Sequence, residues 1–331
     1  MFQKETDKSN EVVTTEEYYT FPASFAQKRL YFLNELLSDS SVYNMPMFVS
    51  LKGNLNKDAL ERALNTLVNL HEALRTHFSM IQNEVMQIIR PYSQFKLEIK
   101  LVRSELEANA YMEVEARKQF DLNKGPLFEA TLLTDEKETH FLLINMHHII
   151  SDGWSVSILF NETFRLYQSF AVDEELPLSE PEFQYADYSG WQEEQFEKSH
   201  WQKQLAYWKE KLGNDLPVLQ LPTEKSRSKI VSNRGSFTQF TIPLDVSKGI
   251  SQLCQTENST LFIGVLTAFN ILLSKYSQQE DIIIGTTIAN RNRIEFEETL
   301  GLFANTIAIR TDLSNNPTFR ELLKRVRNVT I

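Results

Sequence analysis

The groups most capable of chemistry in this sequence lie in one short segment, residues 147–153. It contains two adjacent histidines, His147 and His148, followed by Asp152 and Gly153. A neutral imidazole is a competent general base near neutral pH, and a nearby carboxylate can orient an imidazole or pair with an arginine that fixes the loop. The spacing alone leaves two interpretations open, a catalytic site or a structural pair of histidines at the end of a strand.

The two histidines are expected to play different roles. Adjacent residues of a strand point to opposite faces, so only one of His147 and His148 can face a given cleft. Two histidines and Asp152 could together ligate zinc, but opposed side-chain directions make joint ligation awkward, and the sequence favours no metal site. Gly153 allows a positive φ or a close backbone approach before a helix N-terminus, where free N–H groups favour developing negative charge.

The type of reaction follows from what the sequence lacks as well as from the imidazoles. No serine or cysteine occupies a Gly-x-Ser-x-Gly nucleophile elbow. Direct attack of a substrate amine, hydroxyl or thiol on an acyl donor therefore fits better than a covalent acyl-enzyme. The single cysteine, Cys254, lies in a stretch of helical character and is predicted to be buried packing. One cysteine also excludes an internal disulfide and a multi-cysteine metal site.

The elements that must position these groups can be predicted from hydrophobic patterning. Residues 139–146, just before the histidines, are predicted to form a strand, and because 141–146 are almost entirely apolar, this strand is expected to be central and buried on both faces. The other predicted strands are 48–51, 74–80, 84–90, 127–134, 236–242, 281–289 and 303–312, and the predicted helices are 23–37, Asn56 onward, Ser104 to Phe120, 154–171, 185–196, 200–212, 245–256, 259–275 and 317–328. Alternating strands and helices, with hairpins, predict a mixed sheet with helices, an α+β or mixed α/β layering.

Length and composition narrow the class of protein. The chain has 331 residues, 42% of them hydrophobic and 24% charged, so two lobes are expected, with a boundary near the proline-containing acidic stretch 173–183. The net charge of −10 argues against nucleic-acid binding. No apolar run reaches the roughly 18–20 residues that span a bilayer, and the polar N-terminus has no signal-peptide core, so a cytoplasmic protein is expected.

Five segments, in order, resemble the motifs of nonribosomal peptide synthetase condensation domains. Residues 147–153 match the His-His-x-x-x-Asp-Gly motif, which the family shares with the wider chloramphenicol acetyltransferase-like superfamily. The other segments are Ser24-Phe25-Ala26-Gln27-Lys28-Arg29-Leu30-Tyr31, His71-Glu72-Ala73-Leu74-Arg75-Thr76-His77-Phe78, Tyr185-Ala186-Asp187-Tyr188-Ser189-Gly190-Trp191, and Ile288-Ala289-Asn290-Arg291 with Gly301-Leu302-Phe303-Ala304-Asn305-Thr306. The resemblance covers residues 22–328, and Leu70 departs from it by standing where the family usually has arginine.

The resemblance implies a particular domain organisation. Two chloramphenicol acetyltransferase-like lobes are expected, with the histidine motif at their junction. Residues 1–20 are expected to be a flexible N-terminal segment that could serve in docking, 21–175 the N-terminal lobe and 176–331 the C-terminal lobe. The family's closing motifs have no counterpart before Ile331, so the C-terminal lobe is expected to be incomplete.

The resemblance also implies a function, amide-bond formation in nonribosomal peptide synthesis. A carrier-bound acyl or aminoacyl thioester would be the donor, and the amine of a carrier-bound aminoacyl group would be the acceptor. Two alternatives stay open, a fatty-acyl starter reaction that uses acyl-CoA and a catalytically inactive carrier-binding module. Expected partners are donor and acceptor peptidyl carrier proteins and an adjacent adenylation domain or upstream synthetase subunit, without nucleic acid or membrane. No directly bound cofactor is expected, because carriers deliver the phosphopantetheine arms.

Roles for individual residues follow from the same resemblance. His148 would be the catalytic residue, as a base or as the positioner of the amine, while His147 and Asp152 would be mainly structural. Gly153 would border the donor path, and the other candidates for the substrate channel are Trp154, Ser155 and Asn305. A buried carboxylate needs a cationic partner, and the candidates to pair with Asp152 are Arg291 first and Arg75 second. The candidate carrier-docking cations are Lys28, Lys324, Arg325 and Arg327.

Overall fold

A computed structural model describes residues 18–37, 40–135, 138–174, 180–197, 201–223, 235–236 and 238–331. The described residues form two compact units. The first unit contains the described residues up to Glu194 together with Arg291–Phe303, and the second contains the described residues of 195–290 and Ala304–Ile331.

The first unit contains seven strands and five helices in the part of the chain that the structure describes. In chain order they are β1 (Tyr19–Pro22), α1 (Phe25–Leu36), β2 (Asn44–Lys52), α2 (Lys57–Leu70), β3 (Thr76–Ile81), β4 (Glu84–Ile89), β5 (Glu98–Leu101), α3 (Glu105–Glu115), β6 (Phe128–Thr134), β7 (Thr139–His147), α4 (Gly153–Phe170) and α5 (Tyr185–Glu197), whose last turn passes into the second unit.

The strand that leads to the histidines is central in its sheet. The four-stranded sheet has the order β2-β7-β6-β5, with β7 antiparallel to both neighbours and β5 parallel to β6. Every residue of β7 after Thr139 is buried, which confirms the prediction of a strand covered on both faces. Asn44 of β2 pairs with His147, and Phe128 of β6 pairs with Met146, so the end of β7 is fixed from both sides. The second sheet has the order β1-β4-β3.

The helices of the first unit begin where the sequence supplies caps. Asn56 accepts a hydrogen bond from the Ala59 amide at the start of α2, as predicted. α2 and α4 contact each other, and leucines of both helices, such as Leu64 and Leu159, belong to the main core. α3 ends at Glu115, so the predicted continuation to Phe120 is wrong.

The two compact units divide after Glu194, whereas the lobe boundary expected from the sequence is the proline-containing acidic stretch 173–183. The cause is the aromatic face of α5. Tyr185 and Tyr188 are buried in the core of the first unit. The ring centroids of Tyr188 and Phe303 lie 4.5 Å apart, and those of Tyr188 and Phe296 lie 5.3 Å apart. These contacts join α5 and residues 291–303 to the first unit.

The second unit is built from helices and a two-stranded sheet. Its described elements are α6 (Trp201–Leu212), α7 (Leu244–Thr256), α8 (Leu261–Ser277), β8 (Asp281–Ile288), β9 (Asn305–Asp312) and α9 (Phe319–Thr330). β8 and β9 are antiparallel, and α8 and α9 share a core with them. Cys254 is buried in α7, and a Cβ added at Gly264 of α8 would lie 2.4 Å from its sulfur, which confirms that Cys254 is packing.

Some elements differ from prediction. The described residues of 236–242 form no strand. β1 and β5, both short edge strands, were not predicted, because each has only four residues, too few for their apolar alternation to mark a strand clearly. β1 includes Tyr19 and Thr20, whereas the rest of the segment predicted to be flexible, residues 1–17, lies outside the described residues. Within the described ranges no single helix is long and apolar enough to cross a membrane, and α7 and α8 pass that test only as a pair bent by 110°.

Candidate active site around His148

The strand β7 ends between the two histidines. His147 is the last residue of β7 and is completely buried, while His148 begins a short 3-10 turn, His148–Ile150, and is half-buried. The two rings therefore have different surroundings. The surroundings differ because the strand ends at His147 and the chain turns at His148. The expected alternation of side chains along one strand is not the reason.

A hydrogen bond fixes the tautomer of His148. Its Nδ1 atom lies 2.7 Å from the main-chain oxygen of Ser151. A carbonyl oxygen only accepts hydrogen bonds, so Nδ1 carries the proton in the neutral ring. Nε2 then presents a lone pair, which is the form that a general base or hydrogen-bond acceptor requires. The Ser151 amide donates back to the His148 carbonyl oxygen at 3.3 Å and closes the same turn.

His147 is held in the opposite tautomer. Its Nδ1 atom accepts a hydrogen bond from the Ile149 amide at 3.1 Å, so Nε2 carries the proton. Nε2 is buried and has no hydrogen-bond partner among the described residues. The rings of Tyr43 and Phe120 stand edge-on to the imidazole. Burial, and to a lesser extent the neighbouring His148, lowers the pKa of His147 to about 3, so the ring is neutral at physiological pH.

Asp152 connects the turn to residues 301–303. It is the N-cap of α4, and its Oδ1 accepts from the amide and the hydroxyl of Ser155, both at 2.9 Å. Its Oδ2 accepts from the amide of Phe303 at 3.0 Å. The side chain is 1% exposed, and a buried carboxylate of this kind is stabilised only where such donors surround it.

Arg291 is the cation beside Asp152. Its Nη2 lies 3.4 Å from Asp152 Oδ1 and 3.0 Å from Ser155 Oγ, and its guanidinium covers the ring of Phe303 at 4.0 Å. Burial lowers the pKa of the Arg291 guanidinium, and the carboxylate of Asp152 opposes that effect. Arg75, the second candidate, instead lies 3.6 Å from Glu72 and donates to the main-chain oxygen of Arg90.

Gly153 differs from prediction in its backbone. It is the first residue of α4 and is not among the glycines with positive φ, so the first of the two alternatives, a positive φ, is wrong. A Cβ added at Gly153 would meet no atom within 4 Å, so the residue faces open space.

The three other channel candidates have different surroundings. Ser155 is completely buried against Asp152, and its hydroxyl also lies 2.9 Å from the Gly301 oxygen, so Ser155 does not line an open channel. Trp154 is 45% exposed and donates from Nε1 to the Glu297 oxygen. Asn305 begins β9 in the second unit.

Sequence reasoning gave no individual role to Gln27, which touches the histidine turn. The side chain is 1% exposed, and its Nε2 donates to the Ile149 oxygen and to Gln87 Oε1, each at 3.2 Å. Its Oε1 accepts from the amide of Ser24, the N-cap of α1. A glutamine on the same buried helix face as Leu30 and Tyr31 is the signal that could have found it, because buried polar side chains require partners.

Three of the predicted docking cations are close to acids. Lys28 lies 3.7 Å from Glu193, and Lys324 lies 3.8 Å from Glu257. Arg325 lies 3.7 Å from Asp312 and also donates to main-chain oxygens. Arg327 is half-buried on α9.

The described residues contain no group of three or more His, Cys, Asp or Glu side chains that could hold a metal ion.

Comparison with known sequences identifies a family. A family model for the condensation domain matches residues 17–330. Linear gramicidin synthase of Brevibacillus parabrevis is 42% identical over 316 residues, which are 94% of this chain and 4% of the matching polypeptide. Bacitracin synthase 2 of Bacillus licheniformis is 36% identical over 330 residues, 99% of this chain and 12% of that protein. The chain thus spans only a small part of these relatives.

Solved structures share the fold. The X-domain from teicoplanin biosynthesis has a TM-score of 0.87 at 25% identity, covering 98% of this chain and 72% of that chain. The first condensation domain of the calcium-dependent antibiotic synthetase, solved with a substrate analogue, has a TM-score of 0.80 at 16% identity, covering 94% and 74%. The predicted chloramphenicol acetyltransferase-like fold of mixed strands and helices is confirmed. This chain belongs to the condensation-domain family of nonribosomal peptide synthetases.

Proposed function

We propose that this chain forms an amide bond between a thioester-bound acyl or aminoacyl donor and the amine of a carrier-bound aminoacyl acceptor. Membership of the condensation-domain family supports the reaction class. The observation that carries the assignment of the site is the hydrogen bond from His148 Nδ1 to the Ser151 oxygen, which leaves Nε2 as an acceptor. Donor and acceptor peptidyl carrier proteins, each with a phosphopantetheine arm, are the proposed partners, beside an adenylation domain or an upstream synthetase subunit.

The proposed reaction is a direct acyl transfer. The acceptor nitrogen attacks the thioester carbonyl carbon, a C–N bond forms, and the C–S bond then breaks. The amine loses one proton as it becomes an amide, and the departing sulfur takes up one proton as it becomes a thiol. His148 Nε2 accepts the hydrogen of the attacking amine, so the imidazole either removes that proton or holds the nitrogen in line for attack.

The residues around His148 support this role by fixing its turn. The neutral ring of His147 is completely buried and accepts the Ile149 amide proton, so it braces the turn without contributing charge. Asp152 holds the amides of Ser155 and Phe303, and Arg291 compensates its charge. We assign these three side chains to positioning, because each is buried among its protein partners.

Single-turnover condensation tests the proposal. The chain is assayed within the intact synthetase that contains it, with loaded donor and acceptor carriers, and dipeptidyl carrier is detected by mass spectrometry. We expect product with the wild type and a large loss with His148→Ala. His140→Gln is the matched control, because His140 is a buried histidine of β7 that binds Thr134 and the Gly53 oxygen instead. Full turnover by a folded His148→Ala variant would contradict the proposal.

A second candidate function is a binding module without condensation activity. The observation that favours it is the likeness to the X-domain from teicoplanin biosynthesis, which has also been solved in complex with OxyB, with a TM-score of 0.86 to this chain. A domain of this fold can therefore bind another protein. The same assay separates the candidates, because a binding module retains carrier affinity but yields no dipeptidyl product from the wild type.

A further inference from the structure

A concave site lies in the first unit, and its lining residues are not those of the histidine turn. It is a cleft of about 580 Å³ between the end of β4, the loop that follows it, β5 and β6. None of its lining residues belongs to the segment 147–153. The cleft is therefore distinct from the residues to which the proposed condensation reaction is assigned.

Cationic side chains from several elements converge on this cleft. They are Arg75, Arg90, Lys96, Lys100 and Lys118, against the carboxylates of Glu98, Glu115 and Glu129. Lys100 is paired with Glu98 at 3.1 Å, and Lys118 with Glu129 at 2.7 Å. Of the remaining cations, Arg75 also lies 3.6 Å from Glu72, just outside the lining, and Glu115 is the one further carboxylate in the lining. The cations of the cleft still outnumber the acids beside them, in a chain whose net charge is −10.

The two arginines are fixed in place by main-chain oxygens. Arg75 Nη1 donates to the Arg90 oxygen, and Arg90 Nη2 donates to the Lys124 oxygen. The Nε atoms of both guanidiniums are buried and have no hydrogen-bond partner within the described ranges. The two guanidinium groups are thus held in place before any ligand binds, so less side-chain conformational entropy is lost on binding.

A buried histidine that lines the cleft is a second indication that a ligand binds there. His77 is 7% exposed, lines the cleft, and has no partner for Nδ1 in the part of the chain that the structure describes. Burial and the nearby Arg90 lower the pKa of His77, so the ring is neutral. Buried polar atoms usually have partners, and a ligand or its bound water would satisfy this one.

The cleft also has an apolar wall. Phe95 and Pro126 line the cleft, and Phe128, which is only 2% exposed, packs behind Phe95 with their ring centroids 5.7 Å apart. An anion alone would leave these surfaces unused. A ligand with a charged head and an apolar body would use both parts of the cleft.

We propose that this cleft binds a small phosphate monoester that carries an aromatic or apolar body. The phosphate lies against Arg75, Arg90 and Lys96, and the body lies against Phe95 and Pro126. A phosphate matches the three cations better than a carboxylate does, because its additional oxygen can accept hydrogen bonds from a third cation.

Isothermal titration calorimetry of the whole chain at low salt tests this site, with phenyl phosphate, benzoate and benzyl alcohol as probes. We expect saturable 1:1 binding of phenyl phosphate, weaker binding of benzoate and no binding of benzyl alcohol. Lys96→Glu should weaken the binding of phenyl phosphate about tenfold or more, because it replaces an attraction by a repulsion. Lys52→Glu is the matched control, since it makes the same change on β2, at the opposite edge of the sheet from β5.

Lys96 is exposed, so its substitution leaves the fold intact, and thermal unfolding of each variant checks this. The absence of saturable binding at millimolar phenyl phosphate would overturn the site. Equal affinity of wild type and Lys96→Glu would place any binding elsewhere on the chain. Benzoate binding as tightly as phenyl phosphate would overturn the assignment to a phosphate.

Discussion

The imidazole of His148 is oriented by its own turn, because Nδ1 donates to the main-chain oxygen of Ser151 at 2.7 Å. The contact is local in sequence and independent of any charged side chain. It differs from sites in which a carboxylate orients the imidazole, since Asp152 is engaged with Ser155, Phe303 and Arg291. The orientation of the His148 ring therefore does not depend on the ion pair that anchors the neighbouring helix.

The first prediction separates a base from a positioner at His148. In the single-turnover assay, His148→Ala is expected to lose about 10²–10⁴ in rate if the ring removes a proton. His148→Gln keeps a hydrogen-bond acceptor but cannot act as a base, so it should be nearly as slow. Strong recovery of the rate by Gln would keep His148 in the site and end its role as a base. Equal melting temperatures of the two variants and the wild type are the required control.

The second prediction concerns the stability of the fold at low pH. The pKa of His147 is lowered to about 3 in the folded chain, whereas an unfolded histidine titrates near about 6.5. The unfolded state therefore binds more protons between these values, and stability is lost as pH falls through that window. The expected slope from this residue is about 1.4 kcal/mol per pH unit.

Urea unfolding between pH 7 and pH 4.5 measures this slope. His147→Asn is the comparison, because an asparagine oxygen can still accept the Ile149 amide but does not titrate. We expect the variant to lose less stability per pH unit than the wild type over the same range. Identical slopes would show that His147 is not the buried titrating group.

The parts of the fold that the sequence could predict are those with a local signal. The apolar run before His147 predicted a central strand, and Asn56 predicted the start of α2, because buried faces and caps select residue types directly. β1 and β5 gave only a weak signal, because their apolar alternation extends over four residues. They are edge strands whose residues are largely exposed, so their position is set by pairing with the neighbouring strand.

The site was less accessible to sequence reasoning for a physical reason. The pairing of Asp152 with Arg291, 139 positions apart in the sequence, could be predicted because a buried carboxylate requires a cationic partner. The hydrogen bond from the Phe303 amide to Asp152 could not be predicted from residue type, because every residue except proline has such an amide. The turn at His148 and the contact of Gln27 with the Ile149 oxygen likewise depend on main-chain geometry.

The third prediction tests the anchor formed by Asp152 and Arg291. Both side chains are at most 2% exposed, and removing one partner of a buried pair typically costs about 3–5 kcal/mol because the other charge is left uncompensated. Asp152→Asn and Arg291→Met should each lower the free energy of unfolding by roughly this amount. The double variant should cost clearly less than the two single effects together, as denaturant titration can show. Additive effects would mean that the two charges do not interact.

The fourth prediction compares two glycines beside this anchor. A Cβ at Gly153 meets no atom within 4 Å, whereas a Cβ at Gly301 would lie 1.9 Å from the ring of Tyr185. Gly153→Ala should therefore change the melting temperature little, while Gly301→Ala should destabilise the fold strongly, since overpacking typically costs about 1–3 kcal/mol or more. If Gly153 borders the donor path, its alanine variant should lose condensation rate while it keeps wild-type stability. A fully active Gly153→Ala variant would contradict that role.

The last prediction concerns Gln27 as a positioning residue for the His148 turn. Gln27 and Gln87 are both buried and hydrogen-bond to each other, but only Gln27 donates to the Ile149 oxygen. Gln87 instead donates to the Pro22 oxygen and to Ser189. Replacing either glutamine by methionine keeps the approximate volume and removes hydrogen bonds, so each should cost about 1–3 kcal/mol of stability. Gln87→Met is therefore a control for destabilisation alone.

In the single-turnover assay, Gln27→Met should lower the rate at saturating carrier about tenfold without changing the carrier concentration at half-saturation, because a small displacement of His148 affects the transition state more than binding. Gln27→Glu should be impaired similarly, since its carboxylate can accept the Ser24 amide but cannot donate to Ile149. Equal rates for Gln27→Met and Gln87→Met would show that the contact with Ile149 stabilises the fold without positioning the imidazole.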